Sequence, residues 1–310
     1  MPALICGSLA YDTIMVFEDR FKNHILPEQV HILNVAFLVP RLRREFGGCA
    51  GNIAYNLNLL GVPAYPMGTV GADFAPYAHW MDRCGISRKH ITEVEGTYTA
   101  QAFITTDLDD NQITAFHPGA MNHSHLNRVN GGEGVRLGIV SPDGRQGMID
   151  HARQFAEAGI PFIFDPGQGL PMFDGQELSR FVEEADWVTL NDYESQMIQA
   201  RTGMTIEDLA KRVKALIVTR GGEGSVVHTR GRRHEIPVAR TRDVADPTGC
   251  GDAYRAGLIH GILNEMDWET TGRVASLMGA IKIECHGTQN HRLRDGEFEE
   301  RFRESFGYNP

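Results

Sequence analysis

Asp246-Pro247-Thr248-Gly249-Cys250-Gly251-Asp252 runs straight into Ala253-Tyr254-Arg255-Ala256-Gly257-Leu258-Ile259-His260-Gly261-Ile262-Leu263, which is small and apolar at helical spacing. A tight glycine turn therefore feeds a helix N-terminus with a carboxylate in its first turn. The first N–H groups of a helix lack internal partners and point outward at the positive end of the dipole. Gly249 and Gly251 let an anion approach that backbone closely. A carboxylate beside an anion site repels the guest, so Asp252 is an odd choice for binding alone. It makes sense as the group that takes a proton from a hydroxyl attacking a phosphate. Taken alone, the same residues also read as a cap at Asp246 and a favourable first-turn charge at Asp252.

Away from this centre the chain alternates buried strands with helices. Ala3-Leu4-Ile5-Cys6-Gly7-Ser8 is a short strand ending in a turn, and Asp12 follows it. Residues just past the carboxyl end of such a strand line the ligand crevice of a parallel sheet, so Asp12 is placed to accept hydrogen bonds from hydroxyls; by position alone it is also a turn cap. Gly47-Gly48-Cys49-Ala50-Gly51-Asn52 opens a second helix, with Gly48 permitting close backbone approach and Asn52 offering both donor and acceptor to paired hydroxyls. From 135 onward the pattern is βα: strands at Val135–Val140, Ile160–Phe164, Trp187–Leu190 and Ala215–Thr219, and helices over 146–158, 268–285 and 291–307. Asp165 and Gln168 fall in the turn after one strand and are candidates for a phosphate, metal or substrate network. Asn191 and Glu194, three apart at a helix start, share a face that suits a hydrated magnesium ion and equally suits a cap with its third-position Glu.

Two segments stand outside this alternation. Residues 13–46 suggest strands at Ile14–Phe17 and Val30–Val39, with Arg41, Arg43 and Arg44 as a solvated basic face. Residues 97–117 read as a hairpin, Thr97–Thr106 and Gln112–Phe116 around an Asp/Asn turn. A lone hairpin is unstable, so it pairs with the 13–40 strands in a small sheet over the crevice, a lid whose Phe103 and Phe116 could meet a flat base or simply form core. His117, His123 and His125 lack a metal spacing.

The 310 residues suffice for one large α/β domain with an appendage. A net charge of −10 argues against nucleic acid as the partner. Five scattered cysteines without Cys-x-x-Cys spacing fit a reduced, cytoplasmic protein. The first residues carry no basic leader, and no apolar run reaches membrane-spanning length. Neither Gly-Lys-Ser/Thr nor Gly-x-Gly-x-x-Gly occurs, which removes the P-loop and dinucleotide fingerprints.

The 246–252 stretch resembles the second signature of the ribokinase-like (PfkB) carbohydrate and nucleoside kinases, Asp-Thr-x-Gly-Ala-Gly-Asp, departing at Pro247 and Cys250. Gly47–Ala54 resembles the first signature, Gly-Gly-x-x-x-Asn-x-Ala. Gly68–Asp73, Asn191–Glu194 and Thr219–Gly224 match further family motifs in the same order. The resemblance implies a three-layer α/β/α fold with a central, mostly parallel sheet and a small β-sheet lid. The large domain would comprise 1–12, 43–96 and 118–310, and the lid 13–42 and 97–117. It implies direct phosphoryl transfer from ATP with Asp252 as base and the N–H groups of Gly249, Cys250 and Gly251 as anion hole. Asn191 and Glu194 would organise Mg2+ through water, and Asp12, Gly48 and Asn52 would hold ribose-like hydroxyls. Asn191, Thr219, Arg220, Gly221, Gly222, Gly224 and His286 would bind ATP. A monovalent cation and a homodimer through the lid are left open by the family pattern. The stretch 109–121 together with 165–171 looks like bacterial nucleoside kinases and adenosine kinases of the superfamily, which makes Gln112, Phe116 and Phe173 candidate base contacts and the 5'-hydroxyl of adenosine, inosine, guanosine or cytidine the acceptor. A ribokinase- or fructokinase-like sugar kinase, and a ligand-binding protein that has lost catalysis, are the alternatives.

Overall fold

Strands that are apolar without alternation, such as Ala215-Leu216-Ile217-Val218, need cover on both faces. The computed structural model, which describes residues 2–25, 34–109, 111–130 and 134–310, provides it. The chain begins β1 (Ala3–Cys6), β2 (Ala10–Val16), β3 (Arg41–Gly47), α1 (Cys49–Leu59), β4 (Ala64–Val70), α2 (Ala75–Cys84) and β5 (His90–Glu93). The hairpin β6 (Ala100–Thr106) and β7 (Gln112–His117) follows. Next come β8 (Leu137–Val140), α3 (Arg145–Ala158), β9 (Phe162–Phe164), α4 (Gly175–Glu184), β10 (Trp187–Asn191), α5 (Asp192–Thr202), α6 (Ile206–Arg212) and β11 (Ala215–Thr219). The chain closes through β12 (Ser225–Thr229), β13 (Arg232–Ile236), α7 (Cys250–Leu263), α8 (Trp268–Ile283) and α9 (Glu297–Phe306).

Nine strands form one sheet in the order β13-β12-β11-β10-β9-β8-β1-β4-β5. It is parallel from β11 to β5, with β12 and β13 antiparallel at one edge. Alternate residues feed two cores. Leu4, Val140, Phe162, Phe164, Val188 and Leu216 pack with Phe155, Phe181 and Ile198 of α3, α4 and α5. Ile5, Ile139, Ile163 and Ile217 pack with Ile53, Leu258 and Ala275 of α1, α7 and α8. Each such fully buried side chain contributes about 1.5–3 kcal/mol, so the expected three layers follow directly from the strand pattern. The chain leaves β1 for β4 on one side and returns to β8 on the other. That reversal leaves a crevice beyond the carboxyl ends of the strands, where Ser8, Asp165, Asn191 and Thr219 lie.

A second sheet has the order β3-β2-β6-β7. It differs from the sequence expectation in one strand. Of the expected Val30–Val39 strand, residues 30–33 lie outside the described residues, and 34–39 form no strand. The strand is instead Arg41–Gly47, the basic segment assigned to a solvated face. Antiparallel pairing with β2, from Ala10–Gly47 to Val16–Arg41, overrides its poor strand composition. Asp12 and residues 43–47 thus sit in this small sheet. The hairpin falls where its composition places it, though Asp110 of its turn is outside the described residues. The closing helix starts only at Glu297, because 291–296 approach it as an extended segment and turn.

Candidate active site

α7 begins at Gly249, whose φ of 80° is left-handed and which supplies no side-chain cap. The helix start is therefore left with backbone donors only, as an anion site requires. One of the three expected donors is turned inward: the Cys250 N–H bonds Pro247 O at 3.2 Å. Asp252 sits in the first turn. Burial pushes its pKa up to about 6, against the hydrogen bond from Asn52 and the charge of Arg255, which lower it. Asn52 Nδ2 donates to Asp252 Oδ2 at 2.7 Å. Its Oδ1 in turn accepts from Gln289 Nε2 at 3.0 Å, and the same Gln289 nitrogen donates to the Tyr77 hydroxyl at 2.7 Å. Both ends of the Asn52 amide thus bond protein groups, and one of these is the Asp252 carboxylate.

Gly48 caps the helix that carries Asn52. Its φ of 86° is glycine territory, but a Cβ there would strike Ser8 O at 2.5 Å and Ala10 N at 2.7 Å. The backbone therefore passes close to the β1–β2 connection. Asp12 fares differently. It is half-buried, and no donor among the described residues bonds its carboxylate. Burial, then the charges of Glu45 and Asp246, push its pKa up to about 6. Such a group is an acceptor waiting for hydroxyl donors. Across the small sheet Asp12 is in register with Ala102, and Ala102 with Phe116, so the Phe116 ring, half exposed, shares the Asp12 face. Arg43 on that face reaches within 3.8 Å of the Asp246 carboxylate, which turns the face toward the start of α7. Gln112 lies on the same face but four residues from Phe116, roughly 13 Å along the strand. Phe173 is corrected outright: it is 1 % exposed and packs edge-on against Phe181 in the core.

Asp165 is 3 % exposed and meets Arg255 through two bonds, Nε to Oδ2 at 3.1 Å and Nη2 to Oδ1 at 2.9 Å. Burial opposes the Arg255 charge, but Asp165, Glu194 and Asp252 around it hold its pKa above the usual value. One buried guanidinium thus pairs with Asp165 in two bonds and lies in the field of two further carboxylates. Arg255 escaped the sequence reading, although its position three and four residues after Asp252 and Gly251 on one helix is a usable signal. Gln168, three residues past Asp165, is exposed.

Asn191 and Glu194 form a reciprocal cap: Asn191 Oδ1 accepts the Glu194 N–H at 2.7 Å and Glu194 Oε2 accepts the Asn191 N–H at 2.8 Å. Glu194 Oε1 takes Asn191 Nδ2 as well. Burial, then Asp165, raise the Glu194 pKa. With every one of these polar atoms bonded, the pair has no bare ligand set; among the described residues no three acidic, His or Cys side chains gather around a metal position. Asn191 and Thr219 are register partners at the ends of β10 and β11. Beyond Thr219, Gly221–Glu223 make one tight turn, and Gly222 has open space where a side chain would stand. Arg220 Nη2 donates to Glu235 Oε2 at 2.8 Å and to the Glu223 carbonyl of that turn at 3.4 Å, so its guanidinium stays beside the turn. His286 is exposed on the loop after α8.

A parallel α/β/α sandwich whose helix start offers backbone donors beside a buried-face carboxylate has the architecture of the ribokinase-like phosphotransferases, enzymes with an alcohol group as acceptor. The description "pfkB family carbohydrate kinase" matches residues 14–294, and the chain belongs to that family. It is 31 % identical over 261 residues to a nucleoside kinase of Methanocaldococcus jannaschii, covering 83 % of this chain and 85 % of the relative. The structure of a Burkholderia thailandensis nucleoside kinase in complex with inosine superposes with a TM-score of 0.91 at 53 % identity, over 99 % of each chain. The same enzyme in complex with ADP-inosine gives 0.88 at 55 % identity, over 99 % of this chain and 97 % of that one.

Proposed function

We propose that the chain is an ATP-dependent nucleoside kinase that phosphorylates the 5'-hydroxyl of a purine nucleoside such as inosine, guanosine or adenosine, with cytidine as a further acceptor. The observation that carries this is Asp252, ionisable near neutral pH and fixed by Asn52 at the open start of α7. Its carboxylate takes the hydroxyl proton late in a loose transition state, where a weak base suffices. The N–H groups of Gly249 and Gly251 stabilise charge on the transferred phosphoryl group. Asp12 accepts the ribose hydroxyls, and Phe116, on the same face, lies against the base. Support for a nucleoside over a free sugar comes from that aromatic and from the Burkholderia thailandensis enzyme, whose structures are complexes with inosine and with ADP-inosine.

Asn191 and Glu194 fit a magnesium ion only through its water shell, since their own atoms are already bonded to each other. When bound with ATP, the ion neutralises phosphate charge. The turn 219–224 is read as the triphosphate loop, and the second sheet as a lid. Its outward face, with Leu42, Phe103 and Ile113 exposed, is read as a surface for self-association.

The test is magnesium-dependent ATP turnover with inosine, guanosine, adenosine and cytidine against ribose and fructose. Nucleoside turnover is expected, and Asp252→Asn is expected to lower kcat by about 10²–10⁴-fold with nucleoside binding nearly intact. Turnover with the free sugars alone refutes the substrate; loss of binding with turnover preserved refutes the base.

A further inference from the structure

α8 runs through Val274, Leu277, Met278 and Ile281, and its last turn then holds Lys282, which is 0 % exposed. A buried ammonium has to be satisfied by what surrounds it. Lys282 Nζ donates to the backbone oxygen of Cys285 at 3.1 Å and to that of Asp246 at 2.7 Å. The first bond is ordinary behaviour for a lysine at a helix end. The second is not, because Asp246 belongs to another segment and begins the loop that becomes the start of α7. Burial lowers the Lys282 pKa, and the neighbouring Asp246 carboxylate works against that shift.

The same point is stitched from every side. The N–H groups of Ala245 and Asp246 both bond Ile283 O, at 2.8 and 3.0 Å. Asp246 Oδ1 accepts the Thr248 N–H and Oδ2 accepts the Gly287 N–H, each at 2.9 Å. The Thr288 side chain packs beside Gly249, 3.1 Å from where a Cβ would be. Two loops, 246–249 and 285–288, thus meet around one cation whose partners are backbone carbonyls. Carbonyl ligation is the chemistry of a monovalent ion rather than of a side-chain ion pair.

We propose that the Lys282 ammonium serves as a built-in monovalent cation behind the anion hole, ordering the 246–249 loop so that the Gly249 and Gly251 donors face the phosphate without potassium or any other free ion. Lys282 is a positioning residue: it touches the loop, not the substrate. The proposal rests on the reading of the α7 start as the phosphoryl site.

The experiment compares the wild type and Lys282→Met in choline chloride, potassium chloride and ammonium chloride at equal ionic strength. Wild-type turnover of inosine is expected to be the same in all three. The variant is expected to lose about 100-fold in kcat, the scale of a lost anion-hole donor, with the inosine KM changed less than about threefold and about tenfold of the loss restored by potassium or ammonium. Hydrogen exchange of the 246–252 amides is expected to rise in the variant and to fall back with the same two ions. A wild type that speeds up severalfold in potassium overturns the proposal. So does a variant with unchanged kcat and exchange, or one whose loss no small cation repairs, which makes Lys282 a structural clamp only. Should the variant not fold, the wild-type ion comparison decides. Should the folded chain phosphorylate no nucleoside, the exchange measurement still tests the loop, and the proposed function alone fails.

Discussion

Replacing Asn52 by Leu keeps the branched outline and the number of heavy atoms, and removes the amide that donates to Asp252 Oδ2 at 2.7 Å. A hydrogen bond to a charged acceptor is worth about 1.5–3 kcal/mol net. At about 1.4 kcal/mol per pKa unit, its loss raises the Asp252 pKa by about one to two units. The native carboxylate titrates at about 6, so the variant is expected to titrate at about 7–8. At pH 7 the ionised fraction then drops from about nine-tenths to between one-half and one-tenth, by the same relation. The base works only when deprotonated, so activity is lost on the acid side and recovered on the alkaline side. The assay is kcat/KM for inosine between pH 5.5 and 9, which reports the free enzyme's essential base. The acid limb is expected to move up by one to two units and the deficit to vanish near pH 9. An acid limb left at its native position, or a loss equal at every pH, would refute both the base and its tuning by Asn52.

Three further expectations concern the framework. Arg255→Met strands the Asp165 carboxylate in a pocket that is 3 % exposed; the cost is about 3–5 kcal/mol in urea unfolding, and Arg255→Lys recovers only part of it because a point charge lacks the fork. An unchanged midpoint would mean that the pair contributes nothing. Gly48→Ala forces a side chain into a φ of 86° with Ser8 O at 2.5 Å and is expected to cost at least about 2 kcal/mol. Gly61→Ala, at φ 69° with open space around it, serves as the control at about 1 kcal/mol; equal losses would remove the steric argument. Sedimentation is expected to show a dimer that becomes monomeric when Phe103 and Ile113 are both changed to Ser, and a wild-type monomer at micromolar concentration would end that reading.

The layers of the large sheet were legible because their strands are unbroken apolar runs: Ala215–Thr219 is a strand at the expected residues. The helix starts at 49, 192 and 250 were legible because each follows a short string of glycine or cap residues. β3 was not, since Arg41-Leu42-Arg43-Arg44-Glu45 carries no strand propensity and owes its conformation to β2. Asn52 and Gly48 were found, but not their neighbours Asp252, Gln289 and Ser8, because a motif shows which residue stands at a turn and not what faces it across the fold. Lys282 left a trace, a single charge in an apolar helix face. Gln289, which completes the Asn52–Tyr77 chain, left none: its loop has no periodicity, and its partners Asn52, Tyr77 and Trp80 lie 237, 212 and 209 residues away.

Those separations set a timetable for the newborn protein. The bond between Asn52 and Asp252 spans 200 residues, Tyr55 reaches the backbone of His291 across 236, and Thr288 reaches that of Phe46 across 242. At about 5–20 residues per second, the ribosome needs about 10–40 s to make Asp252 after Asn52. For that interval the glycine turn and the first three strands have no α7 to pack on. Closing so long a loop costs little more than closing one half its length, so the finished contact is not weak; it is late. Asn52 therefore waits for 200 further residues before the carboxylate it donates to exists at all.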